Sequence, residues 1–147
     1  MKRAIIITAL VATGCGAVSS DDNIDIQNEV MLDYSIAEND MIHWSDVFLK
    51  EEERYLVYFY SEYCGYCKIL KQDFLSYYLL NKEKIYLVNA IEENAVFNSP
   101  AIEMIGIDNI DDFYIAGTPI LVEFINHTVT NLYAGLDNIK MYIGSEQ

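Results

Sequence analysis

Residues 55–68 read YLVYFYSEYCGYCK, a run of β-branched and aromatic residues followed closely by two cysteines. The first six residues, Tyr55–Tyr60, have the length of a strand and are apolar on both faces, which is typical of a central strand covered on both sides. Over residues 65–81, apolar side chains recur at the spacing of a helix, namely Ile69, Leu70, Phe74, Leu75, Tyr78 and Leu79. Cys64 and Cys67 are therefore predicted to lie between the end of a central strand and the start of a helix.

Two cysteines separated by two residues can form a redox-active dithiol, a metal site or a structural crosslink. A disulfide that closes so short a loop removes little entropy from the unfolded chain, so the crosslink is the weakest of the three. A helix N-terminus has unpaired N–H groups and a partial positive charge, which stabilise a thiolate. We therefore expect Cys64 to be the nucleophile, and Cys67, one turn later and more buried, to be the resolving thiol.

The composition limits both the number of domains and the class of partner. A chain of 147 residues with 52% hydrophobic side chains is long enough for one domain with a sizeable core. Its 23 acidic and 9 basic residues give a net charge of −14. Such a surface repels phosphate backbones and anionic lipid headgroups, so a nucleic-acid partner is not expected.

The N-terminus has the features of an export signal. MKR is a short positive region, and the apolar run AIIITALVA and then TGC follow it, as in a secretory signal sequence. Residues 12–15, ATGC, resemble a bacterial lipobox, whose cysteine becomes lipidated; a plain signal peptide cut near residues 17–19 is the alternative. We expect a signal peptide over residues 1–19 with Cys15 lipidated, a tether over 20–29 and one domain over 30–147. The protein is then extracytoplasmic, secreted or lipid-anchored to the cell membrane.

Other parts of the chain complete an alternation of strands and helices. The predicted elements are an edge strand at 28–35, a helix at 45–53 capped by Ser45, a strand at 84–90, a short helix at 99–105 capped by Ser99, a hairpin of strands 120–125 and 129–134 around Asn126-His127, and a helix at 136–143. This order is that of a mixed α/β domain. The segment 92–115 is longer than such a domain requires, which indicates an insertion.

Two motifs in this element order carry a family resemblance. Cys64-Gly65-Tyr66-Cys67 after the central strand, and Gly117-Thr118-Pro119 before the hairpin, resemble the two signatures of the thioredoxin superfamily over about residues 30–145. The resemblance implies the thioredoxin fold, a central mixed β-sheet flanked by helices. It also implies a cis Thr118-Pro119 bond beside the dithiol, with the Thr118 backbone free to pair with an extended substrate. The implied roles are catalysis for Cys64 and Cys67 and substrate binding for Tyr63, Gly65, Tyr66, Thr118 and Pro119.

Three departures from ordinary thioredoxins point to a more specific activity. Gly-Tyr between the cysteines, Thr118 before the proline and Gln72 in place of a helix proline together resemble the catalytic domain of bacterial periplasmic disulfide isomerases. Tyr58 stands where thioredoxins hold an acidic proton shuttle. The resemblance thus implies an enzyme without a cofactor that reduces or isomerises disulfides in cysteine-containing exported proteins, using electrons from a membrane or thiol donor.

Two other functions stay open from the sequence. Some exported proteins of this fold bind copper with two cysteines and a histidine, and His43 and His127 both fall on predicted loops. A disulfide-forming oxidase uses the same residues as a reductase, because the direction depends on the reduction potential relative to the partner. Glu123 is expected to point to water from a strand edge, with a displaced proton shuttle as the alternative.

Overall fold

The computed structural model describes residues 30–145, so the predicted signal peptide, the tether and Cys15 lie outside the described residues. Its regular elements are β1 (Arg54–Tyr60), α1 (Gly65–Leu80), β2 (Ile85–Asn89), β3 (Ile120–Ile125), β4 (Thr128–Ala134) and α2 (Leu136–Ser145), with short 3₁₀ turns at Tyr34–Asp40, Trp44–Asp46 and Ala101–Met104. The mixed α/β class is confirmed. Neither α1 nor α2, the α-helices of the described part, combines the length and apolar character that crossing a bilayer needs.

The four strands form one mixed sheet in the order β2-β1-β3-β4. β1 pairs in parallel with β2 and antiparallel with β3, and β3 pairs antiparallel with β4. The predicted central position of β1 is therefore confirmed. Successive side chains of a strand point to opposite faces: Leu56 and Tyr58 enter one apolar cluster, and Val57 and Phe59 enter the other.

One face of the sheet is covered by α1 and α2. The buried side of α1 consists of Cys67, Leu70, Phe74, Leu75 and Tyr77. Two residues predicted for this side are instead exposed, Ile69 by 58% and Leu79 by 54%. The helical spacing therefore predicts the helix correctly, but the buried stripe is narrower and rotated toward Cys67 and Tyr77.

The predicted edge strand at 28–35 is wrong in its described part. Residues 30–42, which we call the N-terminal strap, contain the 3₁₀ turn Tyr34–Asp40, begun by Asp33, whose side chain accepts from the Ser35 N–H. The Gln72 amide accepts from Leu32 N–H and donates to Leu32 C=O, both at 2.8 Å. These two bonds satisfy the backbone groups of the strap that a neighbouring strand would otherwise have paired.

The opposite face is covered by irregular segments. The predicted helix at 45–53 is wrong, because only the 3₁₀ turn Trp44–Asp46 forms. Val47 and Phe48 are nevertheless buried. The ring of Phe48 packs edge-on against Phe113 and Phe124, and the Val47 carbonyl accepts from the Tyr55 hydroxyl at 2.9 Å. These tertiary contacts hold the segment outside a helical conformation.

The segment 92–115 lies on this same face. Its predicted helix is a single 3₁₀ turn, Ala101–Met104, and its cap position is Pro100 rather than Ser99, with no side-chain capping bond. Met104, Phe113 and Ile115 are buried in the second apolar cluster. The inserted segment therefore supplies a layer of the core where a second helix was expected.

The predicted hairpin and closing helix are confirmed. Asn126 and His127 form the turn with φ angles of 48° and 62°, a geometry typical of a two-residue hairpin turn. Gly135 follows β4 at φ 82°, where glycine avoids the strain of a side chain. Its N–H donates to the Pro119 carbonyl at 2.9 Å, which ties the end of the hairpin to the loop before β3.

Glu123 does not point to water. The residue is buried, and its carboxylate accepts hydrogen bonds from Arg54 at 2.7 Å, Asn131 at 2.6 Å and Thr130 at 3.1 Å. Arg54 also pairs with Glu83. A buried carboxylate is tolerated when it is paired and hydrogen-bonded in this way, so the water-facing prediction was wrong because the sequence did not show its partners.

Candidate active site

Cys64 is the N-cap residue of α1. The backbone there is extended, with φ −80° and ψ 121°, and the Cys64 Sγ accepts a hydrogen bond from the Cys67 N–H at 3.3 Å. β1 ends at Tyr60, and a turn in which Cys64 N–H donates to the Ser61 carbonyl at 3.1 Å joins the strand to the helix. The sulfur thus occupies the position where the unpaired N–H groups and the helix dipole favour negative charge.

The structure brings the two sequence motifs together. The Thr118-Pro119 peptide bond is cis, and the Cys64 thiol donates to the Thr118 carbonyl at 3.2 Å. The Thr118 N–H makes no hydrogen bond within residues 30–145. Pro119 is buried, and its carbonyl accepts from the Gly135 N–H. An unpaired backbone N–H beside a reactive sulfur is a place where an extended chain can bind.

The two thiols differ in burial and in acidity. Cys67 is 1% exposed, whereas Cys64 is partly exposed. Burial, followed by the hydrogen bond with Cys64, raises the pKa of Cys67 to about 12. Burial alone would also raise the pKa of Cys64, but hydrogen bonds from the side chain of Cys67, from the side chain of Thr118 and from the backbone N–H groups of Cys67 and Tyr66 outweigh it and lower the Cys64 pKa.

This difference predicts selective alkylation. We expect iodoacetamide to modify Cys64 far faster than Cys67 at neutral pH, because the thiolate is the nucleophile and only the Cys64 pKa is lowered. The rate for Cys64 should reach half its maximum at a lower pH than the rate for an ordinary free thiol does, because its pKa is lowered. Peptide mass spectrometry across a pH series measures both rates. The control is Cys67→Ser, in which Cys64 is the remaining cysteine of the motif. Similar rates for the two thiols would contradict the assignment.

The predicted substrate-binding residues around the sulfur differ in exposure. Tyr63 is 85% exposed and Tyr66 is 62% exposed, so their rings are open to a partner. Space is also open at Gly65, where a Cβ atom would have no heavy atom within 4 Å. Together these three positions form the exposed rim on the helix side of Cys64, and Thr118 lies across from it.

A pocket beside Cys67 was not predicted. It has a volume of about 280 Å³, and its walls are Asp33, Tyr34, Ser61, Glu62, Cys67, Lys68 and Lys71. Tyr34 comes from the N-terminal strap, stacks on Tyr60 at 3.9 Å between ring centroids and lies under the Lys71 ammonium. No sequence signal indicated this placement, since the segment was interpreted as a strand. Tyr58 is fully buried as predicted.

The histidines lie apart from the cysteines. The His43 Nδ1 pairs with Glu93 at 3.0 Å, and the His127 Nδ1 contacts the Phe48 carbonyl at 2.9 Å. Within residues 30–145, no three His, Cys, Asp or Glu side chains are grouped so that they could hold a metal ion. The arrangement of two cysteines and one histidine that the copper interpretation needs is not formed by these residues.

The sequence of this chain matches a known protein family. A family model for thioredoxin matches residues 35–115. Similar solved structures include thioredoxin f2 of Chlamydomonas reinhardtii (17% identity, 73% of this chain and 94% of that chain, TM-score 0.48) and a mutant thioredoxin of Halobacterium salinarum NRC-1 (20%, 71% and 87%, TM-score 0.48). No curated protein sequence matches with statistical significance. Because the family match spans more than half of the residues of this chain, the chain belongs to the thioredoxin family.

Proposed function

We propose that this protein is an extracytoplasmic thiol-disulfide oxidoreductase that reduces or isomerises disulfides in exported proteins. Membership of the thioredoxin family supports thiol-disulfide exchange in general. The observation that carries the proposal is the asymmetry of the two thiols: Cys64 caps α1 with a lowered pKa, and Cys67 lies buried one turn later with a raised pKa. Such an asymmetric pair suits a nucleophile and a resolving thiol.

In the proposed reaction, the Cys64 thiolate attacks one sulfur of a substrate disulfide. A mixed disulfide forms, and the other substrate sulfur leaves as a thiolate that takes a proton from solvent. For reduction, Cys67 then loses its proton and attacks Cys64 Sγ, which forms the Cys64–Cys67 disulfide and releases the second substrate thiolate. For isomerisation, a different substrate thiolate attacks the mixed disulfide and regenerates Cys64. A membrane or thiol electron donor returns the oxidised pair to the dithiol.

The residues around Cys64 suggest how a substrate is held. The free Thr118 N–H and the carbonyl of the same residue can pair with an extended segment, with Pro119 fixing the loop behind them. Tyr63 and Tyr66 offer exposed rings for apolar side chains of an unfolded or misfolded chain. This platform favours substrates whose disulfide lies in an extended, accessible segment.

The location rests on the sequence features outside the described residues. The signal-like residues 1–19 favour a place outside the bacterial cytoplasm, and lipidation of Cys15 would anchor the domain to the membrane through residues 20–29. In that setting the partners are exported proteins with cysteines, which acquire wrong disulfides during folding. A cytosolic reductase would not need such a leader.

The direction of electron flow can be tested on the purified protein. We expect a reduction potential between about −270 mV and about −120 mV, the values of thioredoxin and of a strongly oxidising relative. Equilibration with glutathione buffers measures it, and reactivation of scrambled ribonuclease measures isomerisation. A potential near the oxidising end, together with rapid oxidation of reduced ribonuclease and no reactivation of the scrambled form, would make the protein an oxidase instead.

A further inference from the structure

Two tyrosine hydroxyl groups are buried near Cys67 without a well-formed hydrogen bond. Tyr34 is 5% exposed and Tyr58 is fully buried, and neither hydroxyl oxygen has a partner of hydrogen-bonding geometry within residues 30–145. Both side chains belong to the apolar cluster that contains Cys67. A buried polar group without a hydrogen bond destabilises the folded state, so packing alone would favour phenylalanine at both positions.

The structure holds Tyr34 at this place with several contacts. The N-terminal strap is fixed to α1 by the two Gln72 bonds to Leu32 and by the ion pair of Lys71 with Asp33, at 2.6 Å. Tyr34 follows Asp33 directly and forms one wall of the pocket that Cys67 also lines. The pocket volume of about 280 Å³ and its polar walls can hold water. Cys67, although almost fully buried, thus has a route by which a proton can reach solvent.

We propose that the hydroxyl groups of Tyr34 and Tyr58 stabilise the thiolate of Cys67 when it resolves the mixed disulfide, and that water in the pocket accepts the Cys67 proton. This inference rests on the proposed function. The S–H bond of Cys67 breaks, and its proton passes to water. The thiolate forms a bond to Cys64 Sγ, the bond from Cys64 to the substrate sulfur breaks, and the electron pair leaves on that sulfur.

The surroundings of Tyr34 and Tyr58 favour their neutral hydroxyl groups, which can donate hydrogen bonds to a thiolate. Burial, followed by the interaction with Cys64, makes the Cys67 thiolate hard to form. Burial also raises the pKa values of Tyr34 and Tyr58, and the charges of both cysteines raise them further. The neighbouring Tyr58 hydroxyl lowers the Tyr34 pKa by less than these causes raise it. Each tyrosine therefore keeps its proton and can donate it in a hydrogen bond. The titratable and charged groups around Cys67 and its pocket are Cys64, Tyr34, Tyr58, Asp33, Glu62, Lys68 and Lys71.

A stopped-flow reaction of the reduced protein with excess dithiobis(nitrobenzoate) separates the two steps. The first release of coloured thiol reports attack by Cys64, and the second reports resolution by Cys67. We expect Tyr58→Phe and Tyr34→Phe to slow the second phase by about tenfold or more at neutral pH, the loss expected for a hydrogen bond to a charged group. The first phase should be unchanged. Raising the pH should speed the second phase of every variant in parallel, because the ionised fraction of Cys67 rises by the same factor in each while the pH stays well below its pKa.

Tyr60→Phe is the matched control. Tyr60 lies in the same cluster, and after burial the charges that raise its pKa are those of Glu62, Glu92 and Asp33, not those of the cysteines. Removing its hydroxyl should therefore leave both phases unchanged. An equal slowing of the second phase in Tyr60→Phe would overturn the proposal, because the effect would then come from packing.

Urea unfolding gives a second readout. Since neither hydroxyl is well paired, the Tyr34→Phe and Tyr58→Phe variants should be at least as stable as the wild type. Loss of stability with slowing of both phases would assign the tyrosines a structural role and overturn the proposal. A second phase that is unchanged at every pH would also overturn it, while leaving the oxidoreductase function intact. If the wild type releases no coloured thiol in two phases, it is the proposed function that fails.

Discussion

Cys67→Ser is expected to accumulate covalent complexes with disulfide-containing proteins, whereas Cys64→Ser is expected to form none. The reason is the asymmetry of the site: the Cys64 pKa is lowered at the start of α1, and the buried Cys67 has a raised pKa. Without Cys67 the mixed disulfide on Cys64 forms but has no internal thiol to resolve it. Turnover should fall to background in Cys64→Ser, because a serine hydroxyl in this place cannot attack a disulfide.

The complexes can be measured by incubating each reduced variant with scrambled ribonuclease and separating the products on non-reducing gels. A reducing lane is the control, since only a disulfide-linked complex disappears there. The double variant carrying serine at both positions should give no complex. Complexes in Cys64→Ser that equal those in Cys67→Ser would reverse the roles of the two thiols.

Arg54→Met is expected to destabilise the fold by about 3 kcal/mol, the low end of the cost of breaking a buried ion pair, because the carboxylate partners are buried but the Arg54 side chain is half-exposed. Arg54 joins Glu83 to Glu123, whose side chains are only 16% and 8% exposed. Its loss leaves two carboxylates partly uncompensated at the start of β1. Urea unfolding measures the change. Lys140→Met is the control, because its exposed pair with Asp73 should contribute less than about 1 kcal/mol.

The same network predicts a dependence on acid. Burial alone would raise the pKa values of Glu83 and Glu123, but hydrogen bonds from Tyr77 and Arg54 to the first, and from Asn131 and Arg54 to the second, lower both. A carboxylate whose pKa is lowered on folding stabilises the folded state at pH values above its pKa in the unfolded chain, about 4.3. This contribution disappears as the pH falls through the pKa of the folded state. The difference between wild type and Arg54→Met should therefore shrink below about pH 4. A constant difference would contradict the ion-pair explanation.

Errors in the sequence prediction fall mainly in segments that depend on distant partners. The strand predicted at 28–35 fails because Gln72, forty residues away in the chain, binds the Leu32 backbone and replaces a neighbouring strand. The helix predicted at 45–53 fails because Phe48 packs against rings from β3 and from the inserted segment. Local propensity is a weak signal where such contacts compete with it.

The sequence by itself determined the central strand, the helix that follows it and the place of Cys64 and Cys67 between them. These features are local: strand composition, helical spacing and the cap of a helix are properties of neighbouring residues, and the cap position by itself favours a thiolate at Cys64. The hairpin was equally predictable, because its turn residues suit a positive φ.

Only the tertiary structure decided which residues surround the thiols and which charges are buried. Tyr34 reaches the pocket beside Cys67 because the strap is bound to α1, and Glu123 can be buried because Arg54, 69 residues earlier, donates to it from the neighbouring strand. Neither contact leaves a periodic or compositional trace, since each depends on how separate elements pack. The physical reason is that the energy of a buried polar group is set by its partners in space, and these can lie anywhere along the chain.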